Sequence, residues 1–370
     1  MKKFALFALS AVMALPAVSQ QTKILTAEKF NEYGLVYSLP TTALQVTVTA
    51  RKVTKTPGRF VQYAKRYLGK TDVVAESSVS WTITDIKVVP YGVKAEDTQY
   101  LMQLKPGATT FIGVASDGML LSINAQPLPD QAGLNGSVAP EGKMISSTGG
   151  VDDFLKYVDM DYLSAQNSMK QAEMVANSLM DVRESYLALT RGTADNVPTD
   201  GRQLELMLSS LQEQEGALTR AFEGSVTVEE FTSQYSYIPM GEEEEVLFRM
   251  SDFAGLVAPD DYSGSPVYIK TEVVAEGTLP VDANGEPKKF PKDGVVYGIP
   301  GSAVISIHTA NKNLFSKEME FSQFGTTFGL APTLFTDKKA PSYARFSPVT
   351  GALVEIGPVA VPEEKPATAE

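Results

Sequence analysis

Two kinds of hydrophobic spacing divide this chain. From about residue 33 to residue 123, apolar and polar residues alternate with period two, as in residues 44–48 and 79–83. Such alternation is typical of strands that bury one face and expose the other, and the Gly, Pro and Asp residues between the runs are typical of turns. The same pattern returns from residue 226 to residue 356. We therefore expect antiparallel β-sheets on both sides of a central segment.

The central segment has a helical spacing instead. Apolar residues recur there at intervals of three and four, which predicts a helix from about residue 161 to residue 190. After a turn containing Gly and Pro, Asp200 and Gln203 fit an N-terminal capping box, and Gly224 ends a second helix. The two stripes comprise Ala172, Val175, Leu179, Val182, Tyr186 and Leu189 in the first helix, and Leu204, Leu208, Leu211, Leu218 and Phe222 in the second. We therefore predict a long antiparallel helical hairpin over residues 151–224.

The two β segments share a repeated sequence. Residues 34–52 align with residues 294–312, and eight of the 19 aligned positions are identical. The repeat opens with Gly34, Tyr37, Pro40 and Ala43 in the first copy, and with Gly294, Tyr297, Pro300 and Ala303 in the second. Two related β units, with the hairpin inserted between them, are the simplest explanation of this pattern.

The end of the repeat also recurs. Residues 118–123 match residues 351–356 through a shared Gly-x-Leu-x-x-Ile motif, and a weaker alignment sets Tyr100 against Tyr343. All these positions are strand or turn residues without evident chemistry. We interpret the repeated Tyr37, Pro40, Tyr297 and Pro300 as duplicated framework, because a single functional site would not need duplicating.

The first residues have the pattern of a secretory signal peptide. Lys2 and Lys3 precede an apolar run over residues 4–15, and small residues stand at Ala17 and Ser19. This order is typical of a signal that is cleaved after Ser19, and the apolar run is short for a membrane span. No later stretch is long and apolar enough to predict a transmembrane helix. We therefore expect an exported protein.

The patterns together predict an α+β protein that is mainly β, with two related antiparallel β-sandwich-like units and the inserted helical hairpin. The predicted segments are a signal peptide (1–19), an N-terminal β unit (20–125), a linker (126–150), the hairpin (151–224), a C-terminal β unit (225–357) and a disordered tail rich in Pro, Ala and Glu (358–370).

Composition narrows the possible compartments and partners. The chain contains no cysteine, which excludes a lipoprotein anchor at cysteine, disulfides and thiolate metal sites. Cleavage of the signal would leave 30 basic against 44 acidic residues, a net charge of −14. A chain this acidic is repelled by nucleic acid and by anionic lipid. We expect a periplasmic, outer-membrane-associated or cell-surface protein.

Candidate catalytic groups are few. The single histidine, His308, lies in a predicted strand, and one histidine cannot build a histidine metal site. A serine-nucleophile elbow, a phosphate loop and a dinucleotide fingerprint are missing from the sequence. We assign no catalytic, cofactor-binding or metal-binding residues.

Three other features have ordinary structural explanations. The acidic run Glu242–Glu245 is expected to point into solvent, because adjacent carboxylates repel one another. Asp282–Glu286 resembles part of a calcium loop, but it lacks the later glutamate and is better explained as a β-turn. Trp81 shares a strand face with Val79 and Ile83, which predicts a core residue rather than a sugar-binding platform.

The start of the repeat at residues 33–40 and the closing segment 346–353 resemble a known family. They are similar to exported Bacteroidota proteins grouped as domain of unknown function 4831. The resemblance covers nearly all of the mature chain. It implies export, and it brings no activity, cofactor or site residues.

The sequence favours a non-enzymatic cell-envelope protein that acts as an interaction or scaffold subunit. The expected partner-binding seam of the hairpin comprises Leu179, Val182, Tyr186, Leu204, Leu208 and Leu211. The hairpin could equally pack along a sheet as core. The alternative function is a carbohydrate-binding or carbohydrate-active protein of a glycan-utilisation system, which would use surface aromatics and a carboxylate pair.

Overall fold

The protein is built mainly from antiparallel β-strands. The computed structural model describes residues 34–102, 111–129, 138–291, 293–337 and 340–359. The strands are β1 (Leu35–Thr56), β2 (Ser78–Met102), β3 (Ile112–Val114), β4 (Leu120–Ile123), β5 (Val138–Ser147), β6 (Ser225–Tyr237), β7 (Glu243–Ser251), β8 (Gly255–Val257), β9 (Ser265–Ala275), β10 (Val295–His308), β11 (Asn313–Leu330), β12 (Ser342–Phe346) and β13 (Leu353–Pro358). The helices are α1 (Ala64–Leu68), α2 (Met160–Ser164), α3 (Ser168–Arg191), α4 (Gly201–Glu223) and α5 (Thr333–Thr336), with 3₁₀ turns at Val61–Tyr63 and Asp153–Tyr157.

The described strands form three sheets, and every strand pair within them is antiparallel. The first sheet has the order β2-β1-β6-β5, the second β11-β10-β9-β7-β8, and the third β13-β12-β4-β3. A mainly β fold with several antiparallel sheets is thus confirmed. The long pairs β1–β2 and β10–β11 start the two copies of the repeat and lie in different sheets.

The first and second sheets share one hydrophobic core. Alternate residues of β1, such as Leu44 and Val46, are fully buried against Phe248 of β7 and Ile305 of β10. The first sheet combines β1, β2 and β5 with β6, and β6 belongs to the predicted C-terminal β unit. The two predicted units therefore do not each close a separate sandwich, because the apolar face of the first sheet is covered by the second sheet.

The third sheet packs on the far ends of both long strand pairs. The ladders of β1 and β10 are interrupted at Pro40 and Pro300, where the pairing register shifts. Proline has no N–H to donate, so it is tolerated in a sheet at such irregularities. Beyond these points, Tyr37 and Val296 enter a second core with Ile123 and Phe346 of the third sheet. The repeated prolines thus mark where each long strand leaves the common core.

Both copies join the start of the repeat to its closing motif in the same way. The Ser38 N–H donates to the Gly118 carbonyl at 3.1 Å, and the Gly298 N–H donates to the Gly351 carbonyl at 2.9 Å. Gly118 and Gly351 have φ angles of 90° and 68°, which glycine adopts most easily. The alignment of the opening segment and of the closing motif therefore corresponds to equivalent contacts in the structure.

The weaker middle of the alignment was wrong. Tyr100 of β2 lies opposite Tyr37, whereas the residue opposite Tyr297 is Phe328 of β11. Tyr343 belongs to β12, which pairs with β13 and not with β10. The copies also diverge after His308, where β10 ends in a turn although β1 continues to Thr56. Sequence similarity alone could not reveal these differences in strand pairing, because the loop that joins the two strands has a different length in each copy.

The helical segment is inserted between the neighbouring strands β5 and β6. Asp200 accepts a hydrogen bond from the Arg202 N–H at 3.2 Å, so its predicted capping role is confirmed, although the donor is not Gln203. Gly224 follows α4 as expected. The first predicted helix is divided into α2 and α3, because Asn167 is extended and caps α3 with its side chain.

Three predicted segments differ from the described structure or lie partly outside it. Residues 138–147 form strand β5, which pairs with β6, so the predicted linker over 126–150 is partly a strand. Residue 358 is the last residue of β13 and not part of a tail. The predicted signal peptide and residues 360–370 of the predicted tail lie outside the described residues.

Candidate functional site

The base of the helical pair is a core element. Leu179 of α3 and Leu218 of α4 are fully buried, and they pack with Phe60, Phe154 and Tyr162 from outside the pair. The remaining buried members from the helices are Ala172, Val175, Ala176, Ala221 and Phe222. This end of the two helices therefore fixes them to the rest of the protein. The base of the hairpin is thus core, which is one of the two possibilities that the sequence left open.

Beyond the base, the two helices pack on each other. We call residues 180–214 the distal arm. The predicted seam residues Val182, Tyr186, Leu204, Leu208 and Leu211 are half-buried there. Polar pairs also cross the seam: Arg183 Nε lies 2.7 Å from Glu215 Oε1 just beyond the arm, and Gln212 Nε2 donates to the Tyr186 hydroxyl at 3.1 Å. The seam therefore joins α3 to α4, with apolar surface left partly uncovered.

One side of the distal arm contains an open groove of about 490 Å³. The groove is lined by Ser185, Ala188, Leu189, Ala194, Asn196, Met207, Ser210, Leu211 and Gln214. The groove is open because the side chains that line it from both helices are mostly small. Leu206, next to Met207 on α4, is 65% exposed. Apolar grooves with small residues allow a helix of a partner to approach closely.

The groove was missed by sequence reasoning, although a signal for it existed. Ser185 and Ala188 follow each other at helical spacing on α3, and so do Ser210 and Gln214 on α4. These positions flank the predicted seam on one side. A search for small residues beside each apolar stripe would have found them.

A second cavity lies at the open edge between the first two sheets. It has a volume of about 540 Å³, and we call it the edge cleft. It is lined by Pro140, Ser233, Gln234, Tyr235, Ser236, Glu245, Val246, Leu247, Leu256, Val257, Ala258 and Pro259. The Tyr235 ring stacks on Phe248 of the core at 5.0 Å, so that wall of the cleft is held by core packing.

The acidic run does not point uniformly into solvent. Glu243 begins β7, and its Oε1 accepts hydrogen bonds from the Tyr237 hydroxyl at 2.9 Å and from the Met240 N–H at 2.8 Å. Glu245 lines the edge cleft, where partial desolvation and the neighbouring Glu243 raise the pKa of its carboxyl. The expectation of four solvent-facing carboxylates is therefore wrong for Glu243, because strand alternation turns it toward Tyr237.

His308 and Trp81 occupy structural positions. The His308 ring is half-buried and stacks on Tyr268 with 5.6 Å between ring centroids. Trp81 is half-buried and packs on Phe231 at 4.9 Å, while its Nε1 donates to the Phe253 carbonyl at 3.3 Å. Trp81 packs against the common core, in agreement with its expected core role.

The remaining candidates form no recognisable centre in the described ranges. Asp282 Oδ1 accepts from the Asn284 and Glu286 N–H groups, which confirms a turn at this position. Among the described residues, no group of three or more His, Cys, Asp and Glu side chains is placed to hold a metal. In the same part of the chain, none of the helices combines the length and the apolar character needed to cross a membrane.

These features define a mainly β protein in which two sheets share one core and a pair of helices extends from it. The chain belongs to the family described as domain of unknown function (DUF4831), whose family model matches residues 33–354. No curated protein and no solved structure matches the chain. The resemblance noted in the sequence is thus confirmed at the level of the family.

Proposed function

We propose that this protein is a non-enzymatic interaction or scaffold subunit of the cell envelope, and that its distal arm binds a protein partner. The observation that carries the proposal is the groove between α3 and α4, which lies beyond the base that fixes the helices to the body. The signal-like residues 1–19 and the absence of cysteine support the envelope assignment.

The energetics of the distal arm favour a bound partner. Complete burial of a Leu or Met side chain contributes about 1.5–3 kcal/mol relative to an exposed one. Leu206 and Met207 are 65% and 39% exposed, so much of this stabilisation is unused in the free chain. A partner helix in the groove would cover Met207, which lines it, and the base would keep its own packing.

Two neighbouring serines offer a matched test. Ser210 lines the groove, whereas the exposed Ser209 does not. We expect Ser210→Arg to fill the groove with a charged side chain and to remove partners that co-purify with the wild-type protein from native membranes. Ser209→Arg carries the same charge on the same helix, and it should retain them.

A photo-crosslinker at Met207 provides a direct readout, because Met207 lines the groove. The crosslinked partner should be the protein that Ser210→Arg loses. Identical partner sets for wild type and Ser210→Arg would contradict a role for the arm. The carbohydrate alternative stays a prediction, and a glycan array with the wild-type protein addresses it separately.

A further inference from the structure

Among the described residues, the outer edge of β7 is open along six of its nine residues, Glu243–Phe248. Strand β9 pairs with β7 from Glu243 to Met250, but on the other side β8 pairs only from Arg249 to Ser251. Within the described ranges, no strand lies beside Glu243–Phe248 on that side. An edge strand directs alternate N–H and C=O groups outward, where they can pair with another chain.

Strand β6 lies on the other side of the same gap. In the part of the chain that the structure describes, β5 pairs with β6 up to Gln234, which lies opposite Val138. Tyr235 and Ser236 continue β6 into the wall of the edge cleft. The edge cleft therefore lies between β6 of the first sheet and β7 of the second. Its volume of about 540 Å³ is in the range of protein binding sites.

The lining of the edge cleft selects for positive charge. Apolar side chains such as Val246 and Leu256 form much of it, and Glu245 is its charged residue. Glu242 to Glu244 directly precede Glu245 in the chain, and no Lys or Arg belongs to the lining. Arg249 donates instead to the carbonyls of Pro259 and Gly264. An extended ligand here meets apolar contacts, negative charge and backbone groups of β7 that no described strand pairs with.

We propose that the β7 edge and the edge cleft bind an extended basic peptide segment of a partner protein by strand addition. The peptide backbone pairs with Glu243–Leu247 in the place that β8 leaves open, and a Lys or Arg side chain faces Glu245. Alternate apolar side chains of the peptide enter the cleft against Val246 and Leu256. This site is distinct from the groove of the distal arm.

The charge of the chain argues against a second copy as the occupant. The sequence carries a net charge of −12, so two copies repel each other on approach. A basic segment is attracted by the same field and by the local glutamates. The proposed ligand is therefore defined by its extended backbone and its positive charge.

The test is fluorescence anisotropy with synthetic peptides of about six residues, the usual length of a strand. One peptide alternates Lys and Val, a second replaces Lys with Glu, and a third is the Lys peptide with N-methyl groups that block one backbone edge. We expect saturable binding of the Lys peptide to the wild-type protein. The Glu peptide and the N-methylated peptide should bind at least about tenfold more weakly.

Two pairs of variants locate the binding site. Ala258→Trp fills the edge cleft and Glu245→Lys reverses its charge, so each should weaken binding at least about tenfold. Ala254→Trp lies in the exposed turn between β7 and β8, and Glu286→Lys makes the same charge change in a distant exposed turn. These two control variants should bind like wild type.

Hydrogen–deuterium exchange supplies an independent readout, since residues 243–248 should exchange more slowly with the Lys peptide bound. Equal binding of the Lys and Glu peptides would overturn the proposal, and so would equal binding of the N-methylated peptide. No saturable binding at about millimolar peptide would also overturn it. Loss of binding in the control variants as well as in the cleft variants would place the peptide elsewhere.

Discussion

Tyr37 and Tyr297 occupy matching positions in the two copies of the repeat, but their hydroxyl groups differ in hydrogen bonding. The buried Tyr37 hydroxyl accepts from the Val296 N–H at 2.8 Å and donates to the Val296 carbonyl at 3.1 Å. It thus joins the first copy to the second. Burial raises the pKa of Tyr37 far above its ordinary value, so the hydroxyl stays neutral. The structure gives the Tyr297 hydroxyl no hydrogen bond to a described residue.

Tyr37→Phe should therefore destabilise the protein, because it leaves the buried N–H of Val296 without its acceptor. A lost partner of this kind costs about 1–3 kcal/mol. Tyr297→Phe is the matched control, and it should change the free energy of unfolding by less than about 0.5 kcal/mol. Urea denaturation followed by far-UV circular dichroism measures both. Equal losses in the two variants would contradict the asymmetry.

Glu245 should make stability depend on pH. The pKa of its carboxyl is raised in the folded state by partial desolvation and by Glu243, so ionisation is less favourable there than in the unfolded chain. The contribution of this group to stability is therefore complete below the unfolded-state pKa, and it is lost as the pH rises through the folded-state pKa. Glu245→Gln should raise the melting temperature at neutral pH, and the gain should vanish as the pH falls below the carboxyl range.

Glu244→Gln is the control for this pH series, because Glu244 lies outside the cleft with its carboxylate 3.9 Å from the His308 ring. It should show no gain at neutral pH. A Glu245→Gln protein that melts below wild type at neutral pH would show that the carboxylate is stabilising.

Among the elements, α4 has different environments at its two ends. The end near Gly224 is buried in the core of the base, and the start of the helix belongs to the distal arm. Leu218→Ala should cost about 2–5 kcal/mol, because Leu218 is fully buried in the base. Leu208→Ala, at a half-buried seam position, should cost about 1 kcal/mol. Thermal unfolding by calorimetry compares the two. Equal losses would mean that the distal arm is as firmly packed as the base.

Elements were predictable where their own side chains set the pattern. The spacing of α3 and α4, the cap at Asp200 and the alternation in β1 are local properties, and the structure contains all three. Strand β5 was hidden, because residues 126–150 are rich in Gly, Pro, Asn and Ser, which resembles a linker. Its residues pair with β6, and this pairing compensates for weak strand propensity.

At the scale of the whole molecule, the halves are held together by more than apolar contact. Gln323 of β11 donates through Nε2 to the carbonyls of Thr42 and Pro239, both at 2.9 Å. The Thr42 N–H in turn donates to the Ser322 hydroxyl at 3.0 Å. Thr42 lies 280 positions from Ser322 and 281 from Gln323 in the sequence. The two sheets are therefore fixed to each other by a polar network as well as by their common core.

The candidate sites show the same division between local and distant causes. The seam of the hairpin was predictable, since it depends on the spacing within each helix. The edge cleft was not predictable, because Tyr235, Glu245 and Leu256 meet only through the arrangement of the two sheets. The run at Glu242 indicated negative charge, but not that Glu243 turns toward Tyr237.

The sequence by itself determined the mainly β character, the helical pair, the family and the repeated Tyr and Pro positions, because each of these follows from neighbouring residues or from similarity. Only the tertiary structure decided that the two halves share one core, that Tyr37 bridges to Val296, and that an open strand edge lies beside a cleft. The physical reason is that burial and strand pairing depend on which distant surfaces meet, and residue spacing carries no record of that.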